Sequence, residues 1–191
     1  MSLRDRLVDT LYKAAIGNRK VRNRLTPLLI IVFVGSAWLF VFLSLRLDKL
    51  LNFPGLLPTP LNIVLSIPIL TVGLSLAVWS TVHFARARGT PIPSKPPPEL
   101  VTTGPYALVR NPMHAGIYIL LFGFGVLFKS ISLVSIFIPL FILLDVLELK
   151  AVEETELEKR LGKEYIEYKK KVPMFIPRLK MKGKIGGNSL T

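Results

Sequence analysis

No cysteine occurs among the 191 residues. That excludes a disulfide framework, a thiolate zinc site and a thiol nucleophile. Histidine is nearly as scarce. The only two, His83 and His114, stand far apart in the sequence and give no basis for a histidine-built metal centre. Acidic residues number 12 against 25 Lys and Arg, so the formal charge is +13. There is no strand followed by Gly-x-Gly-x-x-Gly and no Walker loop, so any cofactor site has to be built from helices and loops. The N-terminus lacks a short apolar core ending in small residues, and no cleavable signal peptide is expected.

What the chain has is apolar length. It is 51% hydrophobic, with a mean hydropathy of +0.50. A soluble domain rarely combines that with so high a charge, whereas a membrane protein with basic ends does so readily. The cations flank apolar runs and do not cluster with aromatics. Nucleic acid is therefore not the expected partner; anionic lipid headgroups are.

The organisation follows from these runs. Residues 1–26 form a basic segment in which Leu3, Leu7, Leu11, Ala14 and Ala15 recur at helical spacing. A helix lying on the membrane surface fits this, and a basic tail without structure fits it equally. Residues 27–179 are expected to form one membrane-embedded domain. An uncharged span runs from Pro27 to Leu45 and a second from about Leu61 to Phe84, with Pro68 inside it. Residues 85–99 read as an extended, polyproline-like linker. Met113–Phe128 and Ile131–Leu144 are each short for a span but together make a helical hairpin with Lys129 at its tip. Gly116, Gly123 and Gly125 permit close helix contact there, or are merely tolerated in lipid. A charged helix follows over 150–171, punctuated at Gly162 and ended by Pro173, and residues 180–191 read as a disordered basic tail. The fold class is thus all-α and polytopic, with about four transmembrane helices, an amphipathic N-terminal helix and a cytoplasmic C-terminal helix. All but three of the 25 Lys and Arg residues fall at one end of these spans; Arg46, Lys49 and Lys129 fall at the other. The positive-inside bias then puts both termini, the 85–112 loop and the charged helix in the cytoplasm.

Those cytoplasmic parts can meet. Arg110, in a polar, turn-rich stretch between apolar runs, offers a permanent cation with a planar fork suited to a carboxylate. Glu153 and Glu154 lie just beyond the last span. Most of the carboxylates Asp145, Glu148, Glu153, Glu154 and Glu156 read as a solvated face, although a buried one could pair with a cationic group.

Two blocks resemble the superfamily of isoprenylcysteine carboxyl methyltransferases and phospholipid methyltransferases. The first is Leu100-Val101-Thr102-Thr103-Gly104-Pro105-Tyr106 through Val109-Arg110-Asn111-Pro112-Met113. The second is Glu153-Glu154 followed by Leu161-Gly162-Lys163-Glu164-Tyr165 and Tyr168 through Pro173. The resemblance implies an S-adenosylmethionine-dependent enzyme, leaving S-adenosylhomocysteine as product, with a lipophilic acceptor entering from the bilayer. It implies that Leu100, Val101, Thr102, Gly104 and Tyr106 hold the adenosine part. Arg110, Asn111, Pro112 and Met113 would line the cofactor, and Glu153 would lie near the reaction centre. An isoprenylcysteine-like carboxylate is the acceptor the resemblance favours. A phospholipid amine is the alternative, as are an NADPH-dependent membrane reductase and a non-catalytic scaffold. The sequence departs from the family pattern at Leu149, where the carboxyl methyltransferases carry an Arg for the acceptor, and at His114, where Tyr is common. His114 can be read as a general base for an amine or hydroxyl, or as a packed side chain at a helix start.

Overall fold

A computed structural model describes residues 2–16, 19–89, 97 and 99–177. Most of the proline-rich linker and the tail 180–191 lie outside the described residues. The regular structure among the described residues is all helical: α1 (Leu3–Ala15), α2 (Arg19–Leu50), α3 (Leu61–Arg86), α4 (Pro112–Leu127), α5 (Ile138–Glu148), α6 (Glu154–Leu161) and α7 (Lys163–Lys171). A short 3-10 turn, Gly104–Ala107, precedes α4. Residues 131–161 run as one helical rod, widened at two π turns, Leu133–Phe137 and Leu149–Glu153.

Two helical stretches, Asn23–Leu50 and Leu61–Arg86, are long and apolar enough to cross a membrane. Their large side chains point outward, as Ile31, Val32, Val64 and Ile67 do. Such a surface is stable facing lipid and costly facing water. α4 has 16 residues, about 24 Å of helix. It turns back through Lys129 in left-handed geometry (φ 57°) into the rod, so the hairpin is present.

α3 and α4 make the most extensive helix–helix contact, and glycine makes it possible. A Cβ on Gly73 would lie 2.8 Å from the Leu120 nitrogen, and one on Gly116 would lie 2.8 Å from the Ala77 nitrogen. The two backbones touch, as small residues permit where no hydrophobic force joins helices in lipid. The hairpin tip is stitched by side chains that satisfy helix ends. Asp48 accepts from the Ser132 backbone N–H (2.9 Å) and the Ser130 hydroxyl, capping the rod, and Asn62 donates to the Leu127 carbonyl (2.8 Å). Val41, Leu121, Leu133, Ile138 and Phe141 form the core between α2 and the hairpin.

The N-terminal helix differs from expectation. It is capped by Ser2 and Asp5 in a reciprocal capping box. It ends at Ala15, so Lys20 to Arg24 belong to α2 and Pro27 lies inside that helix. Its face of Val8, Leu11 and Ala14 is buried, the first two against Val152, while Leu3 and Leu7 point outward. Arg4 Nε donates to the Ala151 carbonyl (2.8 Å), within the second π turn, and Lys159 pairs with Asp9 at 2.5 Å. An amphipathic face can be covered by lipid or by protein, and here protein covers part of it.

Candidate active site

The site forms where the 100–114 stretch, the second π turn and α7 converge. Gly104 opens it. Its φ of 59° is left-handed, and a Cβ there would fall 2.2 Å from His83 Nε2, so glycine alone lets the turn seat on α3. The turn buries Tyr106 edge-on to Phe84, with ring centroids 4.6 Å apart. Tyr168 donates its hydroxyl to the Tyr106 carbonyl (2.7 Å). Asn111 ends the irregular stretch and Pro112 starts α4, where its missing N–H costs nothing.

Arg110 binds α7 and the segment after it. Nη1 donates to the carbonyls of Lys169 (3.0 Å) and Val172 (2.7 Å), and Nη2 meets Glu154 Oε1 at 2.6 Å. The backbone N–H groups of Arg110 and Asn111 donate to the carbonyls of Pro173 (2.8 Å) and Met174 (3.1 Å). Lys169 closes on the second oxygen of Glu154 at 2.6 Å. Burial opposes ionisation of Glu154, but hydrogen bonds from Lys169 and Arg110 hold its carboxyl below the ordinary range. The two outer nitrogens of the Arg110 fork are therefore engaged within the protein, and a ligand carboxylate meeting them would compete with Glu154.

Glu153 has the opposite environment. It ends the π turn Leu149–Glu153, and π turns recur at functional sites because they re-aim side chains. Burial pushes its carboxyl up to about 8; His114 opposes the shift, and Glu148, Asp145 and Glu156 add to it. His114 Nδ1 meets Asp145 Oδ2 at 2.7 Å across the two legs of the hairpin. Tyr118, one turn along α4, donates its hydroxyl to the same oxygen. Leu149 is 1% exposed, and its neighbour Lys150 is on the outside.

Of the residues the sequence nominated, Tyr106, Arg110, His114 and Glu153 are therefore brought into one neighbourhood. Pro112 is buried, while Asn111 and Met113 are half-buried beside it. Leu100, Val101 and Thr102 form an irregular approach to it, with Thr102 exposed. Asp145, Tyr118 and Lys169 were not nominated. The helical spacing of His114 and Tyr118 was a usable signal for Tyr118; Asp145 and Lys169 had none beyond charge. At the opposite end, a shallow cavity of about 440 Å³ is lined by residues including Asp48, Lys49 and Lys129, where Asp48 has its capping role. Among the described residues no three His, Asp or Glu side chains are placed to hold a metal ion.

The described residues thus form an all-helical body with two apolar stretches long enough to cross a membrane and a polar, glycine-seated site at one end. The chain belongs to the phospholipid methyltransferase family, whose pattern matches residues 61–164. It is also similar to a nickel-cobalt-cadmium resistance protein, NccN, of Alcaligenes xylosoxydans xylosoxydans. The two are 29% identical over 118 residues, 62% of this chain and 49% of that protein. The matched stretch thus spans about half the length of that relative.

Proposed function

We propose that the protein transfers a methyl group from S-adenosylmethionine to the amine of a membrane lipid, at a site opening to the cytoplasm. The carrying observation is the acidic surroundings of His114: Asp145 bonds it at 2.7 Å, Glu148 acts on it from one turn further on, and the buried residue at 149 is Leu. Carboxylates attract an ammonium and repel a carboxylate, so an amine acceptor fits better than an isoprenylcysteine acid. The family's description as phospholipid methyltransferases supports the same reading.

The residues fit the cofactor. The Tyr106 hydroxyl and Arg110 Nε are buried without a hydrogen-bond partner, two polar atoms that a bound polar ligand would satisfy. When bound, the sulfonium supplies an electrophilic methyl. The protein would supply position and dryness: Tyr106, Asn111, Pro112 and Met113 would line the cofactor, and Arg110 fastens that stretch to the C-terminal segment. Glu153, largely protonated at neutral pH, can accept or donate a hydrogen bond beside the reacting atoms. Holding two reactants in line and excluding water accounts for much of the rate in such transfers. The lipid enters sideways, so its headgroup lies at the membrane interface where α4 begins and α5 ends. Both termini share that cytoplasmic side.

The test is transfer of label from methyl-labelled S-adenosylmethionine by purified protein in vesicles containing phosphatidylethanolamine, with a prenylcysteine acid supplied in parallel. Label on the lipid amine is expected. Label on the prenylcysteine carboxylate would overturn the acceptor assignment, and label on neither would overturn the proposal.

A further inference from the structure

Within that reading, we infer that His114 and Asp145 form a base dyad, with His114 Nε2 taking the proton from the acceptor ammonium and Asp145 and Tyr118 acting as positioning residues.

The geometry carries this. The Asp145 carboxylate is an acceptor, so His114 Nδ1 must carry a proton to bond it at 2.7 Å. In the neutral imidazole this leaves the lone pair on Nε2, the ring nitrogen not bonded to Asp145. Tyr118 donates to the same oxygen and locks the carboxylate. Phe33 of α2 covers the ring, centroid to centroid 5.1 Å, so its plane is fixed from the membrane side. Both side chains of the pair are mostly buried, at 13% and 8% exposure. A packed histidine at a helix start needs only a backbone partner. This one has a carboxylate oriented by a second donor, the arrangement that makes an imidazole a directed base.

The chemistry requires such a group. A primary amine has an ordinary pKa of about 10.4 and is an ammonium at neutral pH, with no lone pair to attack. An N–H bond breaks and the proton passes to Nε2, leaving its electron pair on nitrogen. The acceptor nitrogen then bonds the methyl as the S–CH3 electron pair returns to sulfur. The imidazolium, hydrogen-bonded to Asp145 and facing Glu148 and Glu153, later loses its proton to water. A carboxylate acceptor needs no base, so the dyad belongs with an amine.

Two measurements test this. The chain has only two histidines, so 15N-histidine NMR of the detergent-solubilised protein resolves both. The Nδ1-protonated tautomer is expected for His114 and should be lost in Asp145→Asn. The second is lipid-amine methylation against pH. Asp145→Asn is expected to lower the rate at pH 7 on the order of 100-fold, with Asp145→Glu recovering part. That deficit should shrink as pH rises toward the amine's own pKa, where no base is needed. S-adenosylhomocysteine binding by the variant confirms that it is folded. A deficit equal at every pH, or a neutral wild-type His114 protonated at Nε2 and not at Nδ1, overturns the dyad while leaving lipid-amine methylation standing. A wild type that methylates no amine overturns the acceptor reading and the dyad's role together.

Discussion

Arg110 and Glu154 meet at 2.6 Å, both mostly buried, and join the loop before α4 to the helix after the second π turn. Removing one partner of a buried pair weakens the hold on the other charge; Lys169 still bonds Glu154 and two carbonyls still bind Arg110, so the cost should be about 1–3 kcal/mol. Arg110→Ala and Glu154→Ala should each lower the unfolding midpoint in detergent by a similar amount. The double variant should lose far less than the sum, because each single change already breaks the pair. Additive losses would show that the pair is not a unit.

The contact between α3 and α4 yields a sharper contrast. Gly73→Ala puts a methyl against backbone atoms at 2.8 and 2.9 Å, which cannot move singly, and should cost about 1–3 kcal/mol. Gly35→Ala in α2 meets nothing within 4 Å and should be neutral, or stabilising by up to about 1 kcal/mol through helix propensity. Thermal unfolding of the two variants side by side checks both.

Glu153 makes stability depend on pH in a stated direction. Its folded pKa, about 8, lies above the ordinary 4.5. Between these values the folded state holds a proton that the unfolded chain has lost. Its contribution is therefore fully present below about pH 4.5 and is lost as pH rises through 8. Glu153→Gln, which cannot titrate, should flatten the decline of the unfolding midpoint between pH 5 and 8. An unchanged slope would place the proton elsewhere.

The N-terminal helix is held by Leu11, which is 5% exposed. Leu11→Ala should cost about 2–4 kcal/mol if α1 folds as part of the body, read as a lower unfolding midpoint and earlier proteolysis within residues 3–15. Were α1 held by lipid alone, the midpoint in detergent would not move.

These relationships differ in how far they could be read from residues. The apolar runs, the hairpin with Lys129 at its tip and the punctuation at Gly162 were all legible, because each follows from local chemistry. That Arg110 pairs with Glu154 was not legible: the resemblance assigned Arg110 to the cofactor, and Glu154 read as one of several solvated acids. Neighbouring positions on a helix point about 100° apart, and the π turn Leu149–Glu153 changes the phase of everything after it. No residue type marks a π turn, so counting from Asp145 could not tell which carboxylate faced Arg110. Asp145 itself read as one of several solvated acids. Its bond to His114 spans 31 residues of sequence and exists only because the hairpin closes. The outward Leu3 and Leu7 and the inward Val8 show the same limit: period gives a stripe, while the neighbouring element decides which edge of it is buried.

The central claim is that this chain uses S-adenosylmethionine. The most direct measurement is calorimetric titration of the purified protein with S-adenosylhomocysteine. Saturable binding near one equivalent, weakened by Tyr106→Ala, is the result the account predicts. Folded protein that binds no S-adenosylhomocysteine would contradict it.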